Sequence, residues 1–241
     1  YLTELVIPET VTNLSYGAFR GCDALTSLTV HHLGQHADGT GFSTIAFYFA
    51  PYNTPNTPEA NFQYIPENLS SVTVLSGTSL SDYAFYGCFN LAKLTIPESI
   101  RTIGQYAFAN CNKLNKYNFG NAIESIGQYA FYNCWNMAQD LNIPDTTRTI
   151  GGYAFCNCSN LTALALGDAN IGEYAFDDCS GVKEVEISNV TSNRFSIGEM
   201  SFSGLSKITD LKVPNLVTSI GKSAFDRCFA ITNISLPFVG Y

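Results

Sequence analysis

The 241-residue sequence predicts an α/β repeat solenoid, with a parallel β-sheet on one face and single helical turns on the other. The first observation is a recurring Ala-Phe pair, of which Ser201-Phe202 is a degenerate copy. Successive phenylalanines of the nine copies lie 28, 38, 23, 23, 24, 21, 26 and 23 residues apart. The second observation is an apolar frame that follows each pair. Regular periods of about 20–50 residues are typical of chains that stack similar units.

The apolar frame predicts one short strand per repeat. In one repeat it reads Leu91, Leu94 and Ile96, followed by Pro97. The last two apolar residues are two positions apart, as in a strand, and proline ends a strand. We therefore expect about ten parallel strands, centred on Val6, Thr29, Thr73, Thr95, Asn118, Asn142, Ala165, Glu186, Lys212 and Ser235.

The Ala-Phe pair predicts one turn of helix on the opposite face. Glycine or serine stands four residues before each phenylalanine, and both are good helix N-caps. Glycine or asparagine usually stands two residues after it, and both tolerate the left-handed conformation that ends a helix. One turn is too short to be stable alone, so we expect nine such turns to be held by packing. A further apolar column, one residue before the cap, closes the interior.

Seven of the eight cysteines form another column, three residues after the phenylalanine. A disulfide needs Cβ atoms about 3.8 Å apart, which is closer than stacked coils bring them. We therefore predict buried, reduced thiols that act as small apolar side chains. Cys156 lies outside the column and is the expected free thiol. The column consists of Cys22, Cys88, Cys111, Cys134, Cys158, Cys179 and Cys228.

Composition excludes several classes of protein. The hydrophobic share of 46% suffices for a core, and charged residues make up only 13%. The net charge of −8 argues against nucleic acid or an anionic membrane as the partner. No apolar stretch is long enough to span a bilayer. We expect one domain over residues 1–241, truncated at both ends because no polar caps are present, and hence weak end-to-end self-association.

No pattern in the sequence predicts catalysis, a cofactor or a metal site. His31, His32 and His36 cluster after the second strand, where we expect a solvated loop rather than metal ligands. Asp177 and Asp178 occupy variable positions before a column cysteine, which indicates a solvated turn. The catalytic motifs of hydrolases and zinc proteases are absent from the sequence. We therefore predict that the protein is not an enzyme.

The columns resemble the BspA-like, Treponema-type leucine-rich repeat, whose pattern is I-G-x-x-A-F-x-x-C-x-x-L-x-x-L-x-I-P. It stands here as Ile103, Gly104, Ala107, Phe108, Cys111 and Leu114, and again in the segment that begins at Ile220. The resemblance covers nearly the whole chain and implies a leucine-rich repeat horseshoe. It also implies a surface-exposed protein similar to adhesins that bind matrix or plasma proteins such as fibronectin and fibrinogen. The family has no catalytic residues to transfer.

Candidate protein-binding residues lie at three places. Lys93 and Lys116 are predicted neighbours on an otherwise small, polar sheet face, where they would receive an acidic group or serve solubility alone. Phe89 and Trp135 replace polar residues one position after the column cysteine; they are either exposed or folded flat over the next coil. Two insertions, at about 31–41 and 48–66, leave opposite rims. The second carries Tyr52 and Tyr64, and we expect it to be a loop.

These observations predict a non-enzymatic, extracellular protein-interaction module. Adhesion to a host protein or to a protein of a neighbouring cell is the first hypothesis. The alternatives are a structural spacer that projects another domain and an accessory or sensing module of a larger surface protein.

Overall fold

A computed structural model shows a leucine-rich repeat solenoid, as the sequence predicts. It describes residues 1–33, 44–51, 57–188, 190 and 195–236. Each regular coil has three sides: a strand, a second and shorter strand, and a turn that carries the Ala-Phe pair. Within the described ranges, no helix is long and apolar enough to cross a membrane.

The strand face holds nine of the ten predicted strands, and every pair is parallel. They form sheets of four strands (β1-β2-β3-β5), three (β8-β10-β12) and two (β14-β16). The strands are Glu4–Val6 (β1), Ser27–Val30 (β2), Ser71–Val74 (β3), Lys93–Thr95 (β5), Leu141–Asn142 (β8), Ala163–Leu166 (β10), Glu184–Ile187 (β12), Asp210–Lys212 (β14) and Asn233–Ser235 (β16).

The tenth predicted strand, near Asn118, is reduced to a single parallel bridge between Lys93 and Lys116. Tyr117 and Phe119 occupy the inward positions that leucine and isoleucine fill elsewhere, and their rings stack 4.8 Å apart. The next repeat also has one extra residue before its strand. Bulkier side chains and a shifted register together explain the interruption.

A second parallel sheet, which the sequence does not predict, runs through seven coils. Its strands have two residues each, and the apolar column before the glycine supplies their buried members. The strands are Ser79–Leu80 (β4), Thr102–Ile103 (β6), Ser125–Ile126 (β7), Thr149–Ile150 (β9), Asn170–Ile171 (β11), Ser196–Ile197 (β13) and Ser219–Ile220 (β15).

The Ala-Phe segments are turns rather than helical turns, except in the second repeat, where Ile45–Tyr48 is a 3-10 helix. The prediction fails elsewhere because left-handed residues such as Tyr106 (φ 54°) and Asn110 (φ 64°) interrupt the helical conformation. The phenylalanine N–H donates to the next coil instead, as from Phe108 to the Ala130 carbonyl at 2.7 Å. These turns form the wall opposite the strand face.

The glycine column does not cap helices, which corrects its predicted role. A Cβ atom at Gly151 would lie 2.5 Å from the Gln128 nitrogen and 2.6 Å from the Gly127 carbonyl carbon of the preceding coil. The same close approach recurs at Gly104, Gly127 and Gly172. Glycine is needed here because two backbones pass too near each other for any side chain.

The core is a stack of phenylalanine rings with thiols beside it. Phe85, Phe108 and Phe131 have no exposed surface, and their ring centroids are 5.0 and 4.9 Å apart. The thiols of Cys111, Cys134, Cys158 and Cys179 donate to the phenylalanine carbonyl of the preceding coil, as from Cys134 Sγ to Phe108 O at 3.0 Å. Burial raises the pKa of the thiols of Cys111, Cys134, Cys158 and Cys179.

All eight cysteines are free, so the prediction of unpaired thiols is confirmed. Cys22 and Cys228 are only half-buried. Cys156 is free as predicted, and so are the column cysteines; it is buried as well, with 5% of its surface exposed. Its burial, with Asp177 and Asp178 nearby, raises the pKa of its thiol to about 12.

The end of the second insertion differs from the loop predicted. Residues 34–43, with His36, and 52–56, with Tyr52, lie outside the described part of the chain. The end of the second insertion is helical, with an α-helix at Pro58–Asn61 (α1) and a 3-10 helix at Phe62–Tyr64. His32 is buried rather than solvated, at 7% exposure.

Candidate functional site

Lys93 and Lys116 are neighbours on the strand face, as the register predicts. Both side chains are exposed, and the Leu94 N–H donates to the Lys116 carbonyl at 3.0 Å. The residues that flank them on the preceding strand, Ser71 and Thr73, are small and polar. The structure therefore presents two adjacent cations on an open surface.

Phe89, Trp135 and Phe229 are exposed rather than folded flat. Their exposed fractions are 42%, 47% and 83%. Phe89 has one aromatic neighbour, Phe62 of the insertion, at 5.6 Å in an edge-to-face arrangement. The choice that the sequence leaves open is thus resolved in favour of exposure.

Tyr64 and Phe89 each line a cavity beside the segment 63–67, which contributes residues to both cavities. Tyr64 is half-buried and lines a cavity of about 530 Å³ with Arg20 and Glu67. Phe89 lines a smaller cavity of about 230 Å³, together with Phe62. Tyr52, the other candidate residue of this insertion, falls outside the described residues.

A file of five tyrosines on the turn wall is a feature that the sequence reasoning missed. The rings stack with centroids 5.0 Å apart in the first pair and 4.7 Å apart in the next three. All five are half-buried, and their backbones are left-handed. The file consists of Tyr83, Tyr106, Tyr129, Tyr153 and Tyr174. Its signal was a tyrosine two residues before the phenylalanine in five successive repeats.

Four further rings adjoin this file, and three of them, Tyr86, Phe62 and Phe89, extend it towards the insertion. Tyr86 lies edge-on to Tyr83 at 5.6 Å, and Tyr132 lies edge-on to Tyr129 at 5.5 Å. Phe62 contacts Tyr86 at 6.0 Å and continues to Phe89. We call these nine side chains the aromatic band: Phe62, Tyr83, Tyr86, Phe89, Tyr106, Tyr129, Tyr132, Tyr153 and Tyr174.

Uncharged amides flank the band over its central coils. Asn133 Nδ2 donates to Asn110 Oδ1, and Asn157 Nδ2 donates to Asn133 Oδ1, both at 3.0 Å. On the other side Gln105 Nε2 donates to Gln128 Oε1 at 3.1 Å. Partial burial, together with adjacent tyrosines and Glu173, raises the pKa of Tyr129 and Tyr153. The phenols are therefore neutral hydrogen-bonding groups at physiological pH.

Carboxylates gather at the C-terminal end of the band. Glu173 and Glu199 are exposed in adjacent coils. Asp177 and Asp178 accept from the guanidinium of Arg227 at 2.8 and 2.9 Å. Asp226 also lies 3.8 Å from Arg227, and the exposed Lys222 stands in the coil after Glu199. Five acids thus stand beside two cations, which leaves this end negative.

The described residues offer no arrangement suited to catalysis. Within the ranges given above, no group of three or more histidine, cysteine or acidic side chains is placed to hold a metal ion. The buried thiols face backbone carbonyls, and burial disfavours the thiolate that a nucleophile needs. What the surface offers is aromatic area, amides and charge, which are the components of a binding face.

Comparison with protein families finds the BspA type leucine rich repeat region in six copies, over residues 1–76, 78–192 and 169–239. Among solved structures, a leucine-rich repeat protein from Bacteroides ovatus ATCC 8483 is 22% identical, with a TM-score of 0.44. That match covers 98% of this chain and 73% of the other. A leucine rich cell surface protein from Faecalibacterium prausnitzii A2-165 is 20% identical, with a TM-score of 0.36 and coverage of 97% and 79%.

The T. pallidum leucine rich repeat protein is 23% identical, with a TM-score of 0.32 and coverage of 78% of this chain and 71% of the other. The search of curated proteins found no match.

Proposed function

Since this chain belongs to the BspA-type leucine-rich repeat family, we propose that it is a non-enzymatic extracellular module that binds a protein of another cell or of the surrounding matrix. Leucine-rich repeats form a protein-interaction type of module, and exposed residues of stacked coils supply the binding surface. The surface location and the adhesive role rest on the family resemblance. The proposal treats residues 1–241 as one domain.

The observation that carries the proposal is the exposure of large aromatic side chains. Trp135 is the single tryptophan, and almost half of its surface is exposed. Phe89 lies in the same column and is similarly exposed. Tryptophan and tyrosine dominate the energetics of protein interfaces, because they bury much apolar area with few rotatable bonds.

A second contact is proposed at Lys93 and Lys116. Two like charges on adjacent strands repel each other mildly, and an acidic group of the partner would relieve this repulsion. Tyr64, beside its cavity, is a candidate contact on the insertion rim; Tyr52 stays a prediction from sequence.

Surface plasmon resonance against immobilised fibronectin and fibrinogen tests the adhesive role. We expect saturable binding to at least one of them, and we expect Trp135→Ser to weaken it by about tenfold or more. Leu216→Ser is the matched control, because it removes an exposed apolar side chain (41% exposed) outside this column. Absence of binding to both proteins would contradict adhesion to this class and favour a spacer. Loss of binding in the control alone would contradict the role of Trp135.

A further inference from the structure

The aromatic band is a continuous surface that no assignment so far explains. Its nine rings are joined by ring contacts of 4.7–6.4 Å, and each is half-buried or exposed. It lies on the turn wall, opposite the strand face. It runs from Phe62, near the end of the second insertion, through five successive coils.

The band is rigid, which favours binding. Its tyrosine rings are held face to face, with planes within 10° of parallel along the file. The backbone beneath them is tied to the next coil, as where the Tyr106 N–H donates to the Gln128 carbonyl at 3.0 Å. A preorganised surface loses little conformational entropy on association.

The chemistry of the band determines which side chains can lie at the centre of a partner's contact surface. The tyrosine faces cover one another, so a partner meets ring edges, hydroxyls and the flanking amides of Asn133 and Gln128. A charged group placed over this uncharged centre would lose its hydration without gaining an ion pair. The central contact of the partner is therefore apolar and hydrogen-bonding.

The charge at one end restricts the edge of the partner. Five acids stand at the C-terminal end beside two cations, Arg227 and Lys222, and Arg227 is already paired with Asp177 and Asp178. The acids are Glu173, Asp177, Asp178, Glu199 and Asp226. Complementary charge at an interface rim accelerates association and fixes orientation. The matching edge of the partner is therefore basic.

We propose that the aromatic band is the docking surface for a protein segment whose centre is uncharged, apolar and hydrogen-bonding and whose one edge is basic. The proposal rests on the proposed function as a protein-binding module and names the chemistry of its partner. A second copy of this chain fits less well. In a two-fold dimer, the acidic end of the band in one copy would face the end of the band that carries Asp82 in the other. This contact would bring acidic groups together, and both copies have a net charge of −8.

Random dodecapeptides displayed on phage, selected on the intact protein, test this docking surface. The peptides are counter-selected on Tyr129→Asn/Tyr153→Asn, because asparagine tolerates the left-handed backbone at both positions. We expect the retained peptides to have an excess of lysine and arginine at one end. Absence of retained peptides, or an excess of acidic ones, would overturn the proposal.

Two charge reversals keep the test valid even if the tyrosine variant folds poorly. Glu173→Lys/Glu199→Lys changes exposed residues at the band, whereas Glu184→Lys/Glu186→Lys makes the same charge change on the strand face. We expect the first to weaken binding of the retained peptides by about tenfold and the second to leave it unchanged. The reverse result would place the site on the strand face and contradict the proposal.

Sedimentation of the protein alone distinguishes a second copy as the occupant. A dimer that dissociates in Tyr129→Asn/Tyr153→Asn would overturn the basic partner. Failure of the proposed adhesion can be distinguished from failure of the docking proposal. In that case fibronectin and fibrinogen do not bind, while the retained peptides still bind and respond to the band variants.

Discussion

At position 201 a buried serine replaces the alanine of the repeat. Ser201 occupies the column that alanine fills in the neighbouring coils, and it has no exposed surface. Its hydroxyl oxygen has no hydrogen-bond partner within the described structure. A buried hydroxyl without a partner is destabilising, because its hydration is lost and not replaced.

Ser201→Ala should therefore raise the free energy of unfolding by about 1 kcal/mol. Urea denaturation followed by circular dichroism measures this change. Ser203→Ala is the matched control in the same turn, because the Ser203 hydroxyl accepts from Arg227 at 2.9 Å, and its loss should destabilise the protein. A lower stability of Ser201→Ala would contradict the account.

The buried thiols make stability sensitive to alkaline pH. The pKa of Cys156 is raised to about 12, and burial raises the pKa of the interior column thiols as well. In the unfolded chain these thiols lose their protons near pH ~8.5, whereas the folded protein retains them. The contribution of these thiols to stability is therefore fully present below this pH and is lost as the pH rises towards 12.

We expect the free energy of unfolding to fall between about pH 9 and pH 11, by up to about 1.4 kcal/mol per pH unit for each such thiol. Denaturant unfolding at several pH values measures this slope. Cys156→Ala should reduce the slope by the contribution of one thiol, up to about 1.4 kcal/mol per pH unit. A flat profile over this range would contradict the burial of the thiols.

At the level of single residues, the sequence predicts the interior well and the surface poorly. The phenylalanine and cysteine columns were identified because apolar side chains at a constant period must share one core. The tyrosine file has the same period but sits in a left-handed backbone, as at Tyr129 (φ 55°), which bulky residues rarely adopt. The N–H of Tyr129 donates to the Gly152 carbonyl of the next coil at 2.9 Å, and Met200 takes the same conformation without a ring. Contacts between coils therefore support that conformation, and no local rule predicts it.

The three-sided coil depends on close contact between backbones at the glycine column. Gly151 and Gly152 are adjacent, yet a side chain would meet different neighbours at the two positions. A Cβ at Gly151 would meet backbone of the preceding coil at 2.5 Å. One at Gly152 would meet the flexible Glu173 Cγ at 3.1 Å and the Glu173 carbonyl oxygen at 3.3 Å, contacts that a shift of a few tenths of an ångström relieves. The glycine column thus joins the second sheet to the turn wall.

Gly151→Ala should lower the free energy of unfolding by about 2 kcal/mol or more, since backbone cannot move aside as a side chain can. Gly152→Ala is the control and should change stability by less than about 1 kcal/mol. Thermal melting of both variants measures the difference. Equal effects of the two substitutions would show that coil spacing does not require the glycine.

The elements that the sequence misses are those made by contacts between coils. Helix caps and close backbone contacts select the same small residues, so the glycine column favoured a helical turn equally well. The strands of the second sheet, such as Thr102–Ile103 (β6), have two residues and leave no alternating pattern to detect. Their existence follows from pairing with the next coil, which sequence periodicity does not reveal.

Across the whole molecule, stability should be distributed along the stack. Coils in a solenoid contact mainly their neighbours, so stability is roughly a sum of local terms. Phe108 lies between Phe85 and Phe131 in the ring stack and is fully buried. A defect there separates coils that otherwise support each other.

Phe108→Ala should cost about 3–5 kcal/mol and broaden the thermal transition, because parts of the array can unfold separately. Hydrogen exchange should show the largest loss of protection in the coils next to Phe108. Phe229→Ala, at 83% exposure, is the control and should change stability by less than about 0.5 kcal/mol. An unchanged melting temperature in Phe108→Ala would show that the ring stack is not the core.

The solenoid as a whole was predictable, whereas its breaks were not. The strand face is interrupted near Tyr117, and β12 and β14 are not paired within the described residues. These breaks arise from side-chain volume and local insertions, which shift register without altering the apolar pattern. The candidate site shows the same difference between sequence and structure. The sequence identifies Phe89 and Trp135 as aromatic residues in an otherwise polar column, whereas the aromatic band is recognised only from the ring stacking in the structure.

The central functional claim is that this solenoid binds its partner through the aromatic band of the turn wall. Hydroxyl-radical footprinting with mass spectrometry, on the protein with and without a saturating selected peptide, tests it most directly. The account predicts that Tyr106, Tyr129 and Tyr153 are protected on binding, while exposed strand-face residues such as Val6 and Glu186 keep their reactivity. Protection of the strand face with unchanged tyrosine reactivity would contradict it.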